Sequence, residues 1–197
     1  MIGRSGVNKT NFKSNKRTGL VFMATIVTGI GLGGIALAND VGADVTVDMH
    51  AVTKDGVSQV IGQIHIREQA DGLVLEPDLN GLAPGLHGFH IHENPDCGVE
   101  RSEGELVAAG KAGGHFAGNN EDSHGAPWAQ QHHTGDLPTL YFDSQQSASH
   151  PVFKPDLTLD AIRGHALIIH QGGDNYSDIP KPLGGGGERM ACGVIAQ

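Results

Sequence analysis

From residue 45 onward the chain is a succession of short β-branched runs broken by glycine, proline and aspartate. Residues 45–52 and 58–66 form one such pair, and the intervening Lys54-Asp55-Gly56 contains an Asp-Gly step that signals a hairpin between antiparallel strands. Further strands are predicted over 72–77, 85–93, 137–142, 151–157, 165–169 and 191–195. No segment carries a sustained helical period with caps, so the pattern predicts an all-β sandwich or barrel. Two long stretches break it: residues 94–135, rich in Gly, Asn and His, and 172–189, rich in Gly, Pro and Asp. Long loops without secondary structure in a compact domain are usually functional.

The first 38 residues have a different pattern. Arg4, Lys9, Lys13, Lys16 and Arg17 precede an apolar run over 20–37, no acidic residue occurs, and Ala36-Leu37-Ala38 closes the segment. This predicts a secretory signal over residues 1–38, cleaved after Ala38, followed by one domain over 39–197. An uncleaved anchor is the alternative, since the run approaches the roughly 20 apolar residues that span a bilayer. The glycines in the run and the small residues at its exit favour cleavage. Export predicts a periplasmic protein, or a secreted one where the source has no periplasm.

Taking five basic and no acidic residues from the 13 Lys+Arg and 22 Asp+Glu of the whole chain leaves 8 against 22, a net charge of −14. So acidic a surface repels nucleic-acid phosphates and anionic lipids, which excludes both as expected partners. Export also makes a disulfide the natural reading of Cys97 and Cys192, the only cysteines, with two buried free thiols as the alternative.

The chemistry lies in the histidines. A strand turns residues i and i+2 to one side, so His90 and His92 present two imidazoles together, and His115, His124, His133, Asp136 and His170 follow. This spacing predicts a metal site, with two metals sharing a ligand. Asp136 adds a hard oxygen to a set of nitrogens, which suits zinc, whereas an all-imidazole set suits copper. His132 beside His133 leaves a register choice; the distance to Gly135-Asp136 favours His133 and leaves His132 as an exposed neighbour. His50, His65, His87, His150 and His165 read as structural or solvated.

The chain resembles the bacterial copper/zinc superoxide dismutases over most of residues 45–196. The resemblance is carried by Gly85-Leu86-His87-Gly88-Phe89-His90-Ile91-His92-Glu93, Gly113-Gly114-His115, His133-Thr134-Gly135-Asp136-Leu137-Pro138, Ile169-His170-Gln171-Gly172-Gly173-Asp174-Asn175 and Gly184-Gly185-Gly186-Gly187-Glu188-Arg189-Met190-Ala191-Cys192-Gly193. It implies a flattened eight-stranded Greek-key β-barrel, sandwich-like, with two long functional loops. It also implies copper held by His90, His92, His115 and His170, and zinc held by His115, His124, His133 and Asp136, with His115 as the bridge. His124 fits by its offset from His115, although Asp122-Ser123-His124-Gly125-Ala126 departs from the family's wording.

Several further roles follow from the resemblance alone. The Cys97–Cys192 bond would tie the first loop to the last strand. Asp174 would accept hydrogen bonds from one copper-ligand and one zinc-ligand imidazole. Arg189 would orient superoxide over the copper, and His115 would pass a proton. Gln171, not a lysine, follows His170, so Arg189 is the named cation beside the site. The implied reaction is disproportionation of superoxide by a Cu(II)/Cu(I) cycle, in an enzyme that forms a possible homodimer. A copper buffer or delivery protein is the rival: it needs the copper ligands but not Arg189. A zinc hydrolase fits less well, because no helical His-Glu-x-x-His is present. The glycine run over 184–187 reads as a flexible loop.

Overall fold

The structure is a computed structural model that describes residues 43–118 and 123–197, so the expected signal segment and its boundary after Ala38 lie outside the described residues. Among the described residues twelve strands are formed: β1 Asp44–Thr53, β2 Gly56–Gln69, β3 Gly72–Asn80, β4 Gly85–His87, β5 Phe89–His92, β6 Glu100–Ser102, β7 Glu105–Val107, β8 Leu140–Phe142, β9 Ser147–Ala148, β10 Val152–Pro155, β11 Ala166–His170 and β12 Arg189–Val194. The main sheet runs β10-β3-β2-β1-β12-β11-β5, with β9 also paired to β3. β4 pairs with β8, and β8 turns into β9 through a tight hairpin in which Asp143 N–H donates to Ser147 O. Since β9 pairs with β3, the antiparallel sheet curls back on itself. This is the barrel-like, nearly all-β fold that the strand pattern predicts.

Alternation along the strands sorts the side chains. In β3, Leu73, Leu75 and Leu79 are buried while Asp78 and Asn80 face solvent, and Ile64 and Ile66 of β2 join the same core. β5 and β11 are buried on both faces. Their odd-numbered residues Phe89, Ile91, Leu167 and Ile169 fill the barrel core, so His90, His92, Ile168 and His170 project from its outer wall. There Ala109 and Ala112 of the long loop pack on Ala166, Ile168 and Cys192. The Cys97–Cys192 disulfide secures that loop to β12 across a separation of 95 residues, a loop closure worth about 4–5 kcal/mol on chain-entropy arguments.

The differences from expectation are local. The stretch over 94–135 contains the β6–β7 hairpin, turned by Glu103 and Gly104, both at positive φ. Glu is not a usual residue at such a turn, and the hairpin is charged and mostly exposed, so no alternating pattern announces it. Strand 137–142 forms only over Leu140–Phe142, because Pro138 has no N–H to give the ladder. A one-turn helix, Leu159–Ile162, is capped by Thr158, whose Oγ1 accepts from Ala161 N–H at 3.4 Å. Among the described residues no helix is long and apolar enough to cross a membrane.

Candidate metal centre

Strand pairing brings most of the imidazoles together. β5 and β11 are antiparallel, with His92 opposite Ala166 and His90 opposite Ile168, which sets His170 just past the end of β5. The loop is fastened alongside by single backbone bridges between His92 and His115 and between His90 and Asp136. His90, His92, His115 and His170 thereby offer ring nitrogens all within 4.8 Å of one another. A second group, again within 4.8 Å, comprises His90, His115, His124 and Asp136. His115 and His90 belong to both.

The backs of the rings are held by the protein. His90 Nε2–H donates to Asp174 Oδ2 at 2.8 Å and His92 Nδ1–H to the Gly113 carbonyl at 2.9 Å, while His170 Nδ1 lies 3.2 Å from the Gly187 carbonyl. The opposite nitrogens, His90 Nδ1, His92 Nε2 and His170 Nε2, are buried and have no hydrogen-bond partner. A buried polar atom left without a partner is costly, and three aimed at one point call for an acceptor of lone pairs. A metal ion supplies that, and the all-nitrogen set suits copper.

Asp136 organises the second group. Its Oδ2 accepts from the backbone N–H groups of Gly125 at 3.0 Å and His133 at 2.9 Å. Its Oδ1 faces three Nδ1 atoms, of His115 at 3.0 Å, His124 at 2.9 Å and His133 at 3.5 Å. Ligands about 2.0–2.1 Å from a tetrahedral zinc stand roughly 3.3 Å apart, so these separations fit that ion. His133 lies outside the tighter second group, where His90 takes its place. The rings of His90 and His115 stack at 3.9 Å, which accounts for that proximity. His133 Nδ1 is also buried without a hydrogen-bond partner and lies 3.5 Å from Asp136 Oδ1, so it fits zinc, while the free nitrogen of His90 belongs equally to the all-imidazole group.

Asp174 spans both groups, since its Oδ1 also accepts from His124 Nε2–H at 2.8 Å. Gly184, at φ +69°, approaches this link so closely that an added Cβ would lie 2.0 Å from Asp174 Oδ1 and 2.8 Å from His124 Nε2. The glycine run read as a flexible loop therefore includes a buried packing position. Arg189, half-buried, donates through its guanidinium to Ala109 O and Gly113 O, each at 2.6 Å. It borders a cleft of about 290 Å³ that opens onto His92, His115 and His170.

Of the other histidines, His132 differs from expectation, whereas His87 takes the structural role among those expected for it. His132 is half-buried instead of exposed, because its Nε2 receives a hydrogen bond from the buried Lys154 at 2.7 Å. His87 is buried, its ring nitrogens 2.6 Å and 2.9 Å from the carbonyls of His170 and Ala83, so it braces the end of β11. Lys154 carries no motif; a lysine at an inward strand position is the signal by which it is found.

Burial holds the pKa of His170 down to about 3 and that of His115 down to about 4, and it lowers His90 and His92 as well. Burial would also lower His124, but hydrogen bonds to Asp136 and Asp174 prevail and push it up to about 9. Burial would raise both carboxyls; the histidine hydrogen bonds prevail there too and hold them well below the usual carboxylate range. The signs for the metal-free protein follow. The four lowered histidines take up protons on unfolding, so stability falls as pH drops from about 6.5 toward 3, and the two aspartates add to that loss only below 3.8. His124 stabilises fully below about 6.5, and that contribution is lost as pH rises through 9. Metal-free protein is therefore expected to melt at its highest temperature at about pH 7, with the steeper fall in acid. Thermal melts between pH 4 and 10 check this, and a flat acid limb contradicts it.

A family model described as copper/zinc superoxide dismutase matches residues 60–195. The copper/zinc superoxide dismutase of Actinobacillus pleuropneumoniae is 54% identical over 136 residues, covering 68% of this chain and 72% of the relative. The solved Brucella abortus copper/zinc enzyme superposes with a TM-score of 0.75 at 42% identity, covering 78% of this chain and 99% of that one. The Salmonella enterica enzyme, described as monomeric, gives 0.70 at 49% identity with the same coverages. The chain belongs to the copper/zinc superoxide dismutase family. It is accordingly an oxidoreductase whose cofactors are copper and zinc.

Proposed function

We propose that the chain disproportionates superoxide, converting two superoxide ions and two protons into dioxygen and hydrogen peroxide, at a copper held by His90, His92, His115 and His170. The observation that carries this is the set of three buried, unpartnered ring nitrogens of His90, His92 and His170 beside His115. Bound copper, alternating between Cu(II) and Cu(I), supplies the electron acceptor and donor. Zinc, held by His115, His124, His133 and Asp136, has no redox chemistry and orders the loop.

The residues around the metals have separable tasks. Arg189, pinned by two carbonyls, presents its remaining N–H groups and a permanent charge to a small anion entering the cleft. His115, shared between the two groups, would carry a proton on its copper-side nitrogen only while that nitrogen is off the metal, and would give it to the departing peroxide, the second proton coming from solvent. Asp174 fixes the His90 and His124 rings in the tautomer whose free nitrogen faces the metal. The enzyme acts in the periplasm, which suits the basic, apolar N-terminus and the Cys97–Cys192 disulfide. Sedimentation velocity decides between a monomer, as the S. enterica relative is described, and a homodimer.

The test is superoxide consumption by protein loaded with copper and zinc, beside the same protein with zinc alone. Rapid loss that requires copper is expected. Stoichiometric copper binding without turnover overturns the reading in favour of copper storage or delivery.

A further inference from the structure

Position 154 lies on β10 where the alternation Val152, Phe153, Lys154 turns it inward, and Lys154 is only 2% exposed. Lysine is almost never buried so fully unless it is paired. Its ammonium donates to the Pro127 carbonyl at 3.2 Å and to His132 Nε2 at 2.7 Å. The acceptor is suited to this. His132 Nδ1–H donates to Ala129 O at 2.8 Å, which leaves the lone pair on Nε2, where an ammonium needs it.

Both partners belong to the turn that joins His124 to His133. Within that turn Ala129 N–H donates to Ala126 O, and Trp128 packs edge-on against Tyr176. Among the described residues, the hydrogen bonds that tie residues 126–132 to the rest of the protein come from Lys154 alone. Pro127, Trp128 and His132 of the turn line a cleft of about 430 Å³ together with Lys154 and Leu157. Lys154 thus bonds to the turn at the edge of that cleft.

We propose that Lys154 is a positioning residue for zinc: it pins the 126–132 turn to β10 and so fixes the separation of His124 and His133, one on each side of that turn. This rests on the zinc set proposed above. The experiment follows zinc release to a colorimetric chelator from the metal-loaded protein and its Lys154→Met, His132→Ala and His133→Ala variants, with thermal melts of the loaded and metal-free forms. Loss of a residue that supports a ligand typically weakens metal binding about 10–100-fold. Lys154→Met is expected to release zinc about tenfold faster, near the low end of that range. Its melting temperature is expected to drop further in the loaded than in the metal-free form. His132→Ala, which removes one of the two ties at a half-buried position, is expected to shift release the same way by less, and it decides the matter if Lys154→Met does not fold. Release at the wild-type rate, or equal drops in the two forms, overturns the proposal. Rapid loss from His133→Ala with wild-type release from Lys154→Met leaves the zinc set standing and removes only the role of Lys154. Wild-type zinc retention by His133→Ala removes both.

Discussion

Asp136→Asn is expected to abolish stable zinc binding and to lower the stability of the loaded protein by about 3–5 kcal/mol, the range for breaking a buried charge network by removing one partner. The substitution is nearly isosteric, so the effect is electrostatic and geometric. Oδ1 now faces the Nδ1 atoms of three histidines, and Oδ2 accepts two backbone N–H groups. An amide keeps one acceptor at most on the ring side, and if its NH2 turns there it offers a donor where a ligand atom is needed. The two N–H groups of Gly125 and His133 compete for the same oxygen. Zinc affinity is expected to fall by more than the roughly 10–100-fold that follows loss of a supporting residue. Competition with a chelator and metal analysis after dialysis give the affinity, and melts with and without zinc give the stability. A variant that keeps one zinc per chain and its wild-type melting temperature rules out Asp136 as the organising carboxylate.

The parts of this design differ in how legible they are from the chain. The common facing of His90 and His92 is legible because a strand has a fixed period of two, and Phe89 and Ile91 confirm the alternation by filling the core. The separation of His124 from His115 is legible only as an offset, because a loop has no period, and residues 119–122 between them lie outside the described residues. Asp174 and Gly184 show why the second loop is harder. Each is an ordinary turn residue by composition, and the contact between them depends on where residues 172–188 fold over His124. Lys154 illustrates the opposite case. In the sequence it is an ordinary lysine within the predicted strand 151–157; in the structure its charge at an inward position reaches carbonyl and imidazole acceptors that an apolar side chain would leave bare.

Arg189→Ala is expected to lower kcat/KM for superoxide by about a hundredfold, while copper and zinc content stay at the wild-type level. The chain carries a net charge of −9, so at long range it repels an anionic substrate. Beyond about 8 Å at physiological salt that repulsion is screened, and the charge at the cleft decides capture. The guanidinium contributes both charge and direction. Its two bonds to Ala109 O and Gly113 O hold it at the wall of the cleft, and Gly113 O also accepts from His92, so the arginine and the His92 imidazole share one support. Half-burial strengthens its field there, although it also makes the charge slightly easier to lose. Arg189→Lys separates the two contributions. It keeps the charge without the planar fork, so its rate is expected to lie between wild type and Arg189→Ala, with the salt dependence of the wild type retained. Arg189→Ala is expected to lose most of that salt dependence as well. Pulse-radiolysis rates at two ionic strengths measure both quantities. An alanine variant with wild-type rate and salt slope shows that the cleft captures superoxide without Arg189, and the permanent charge of the metal site then has to account for capture alone.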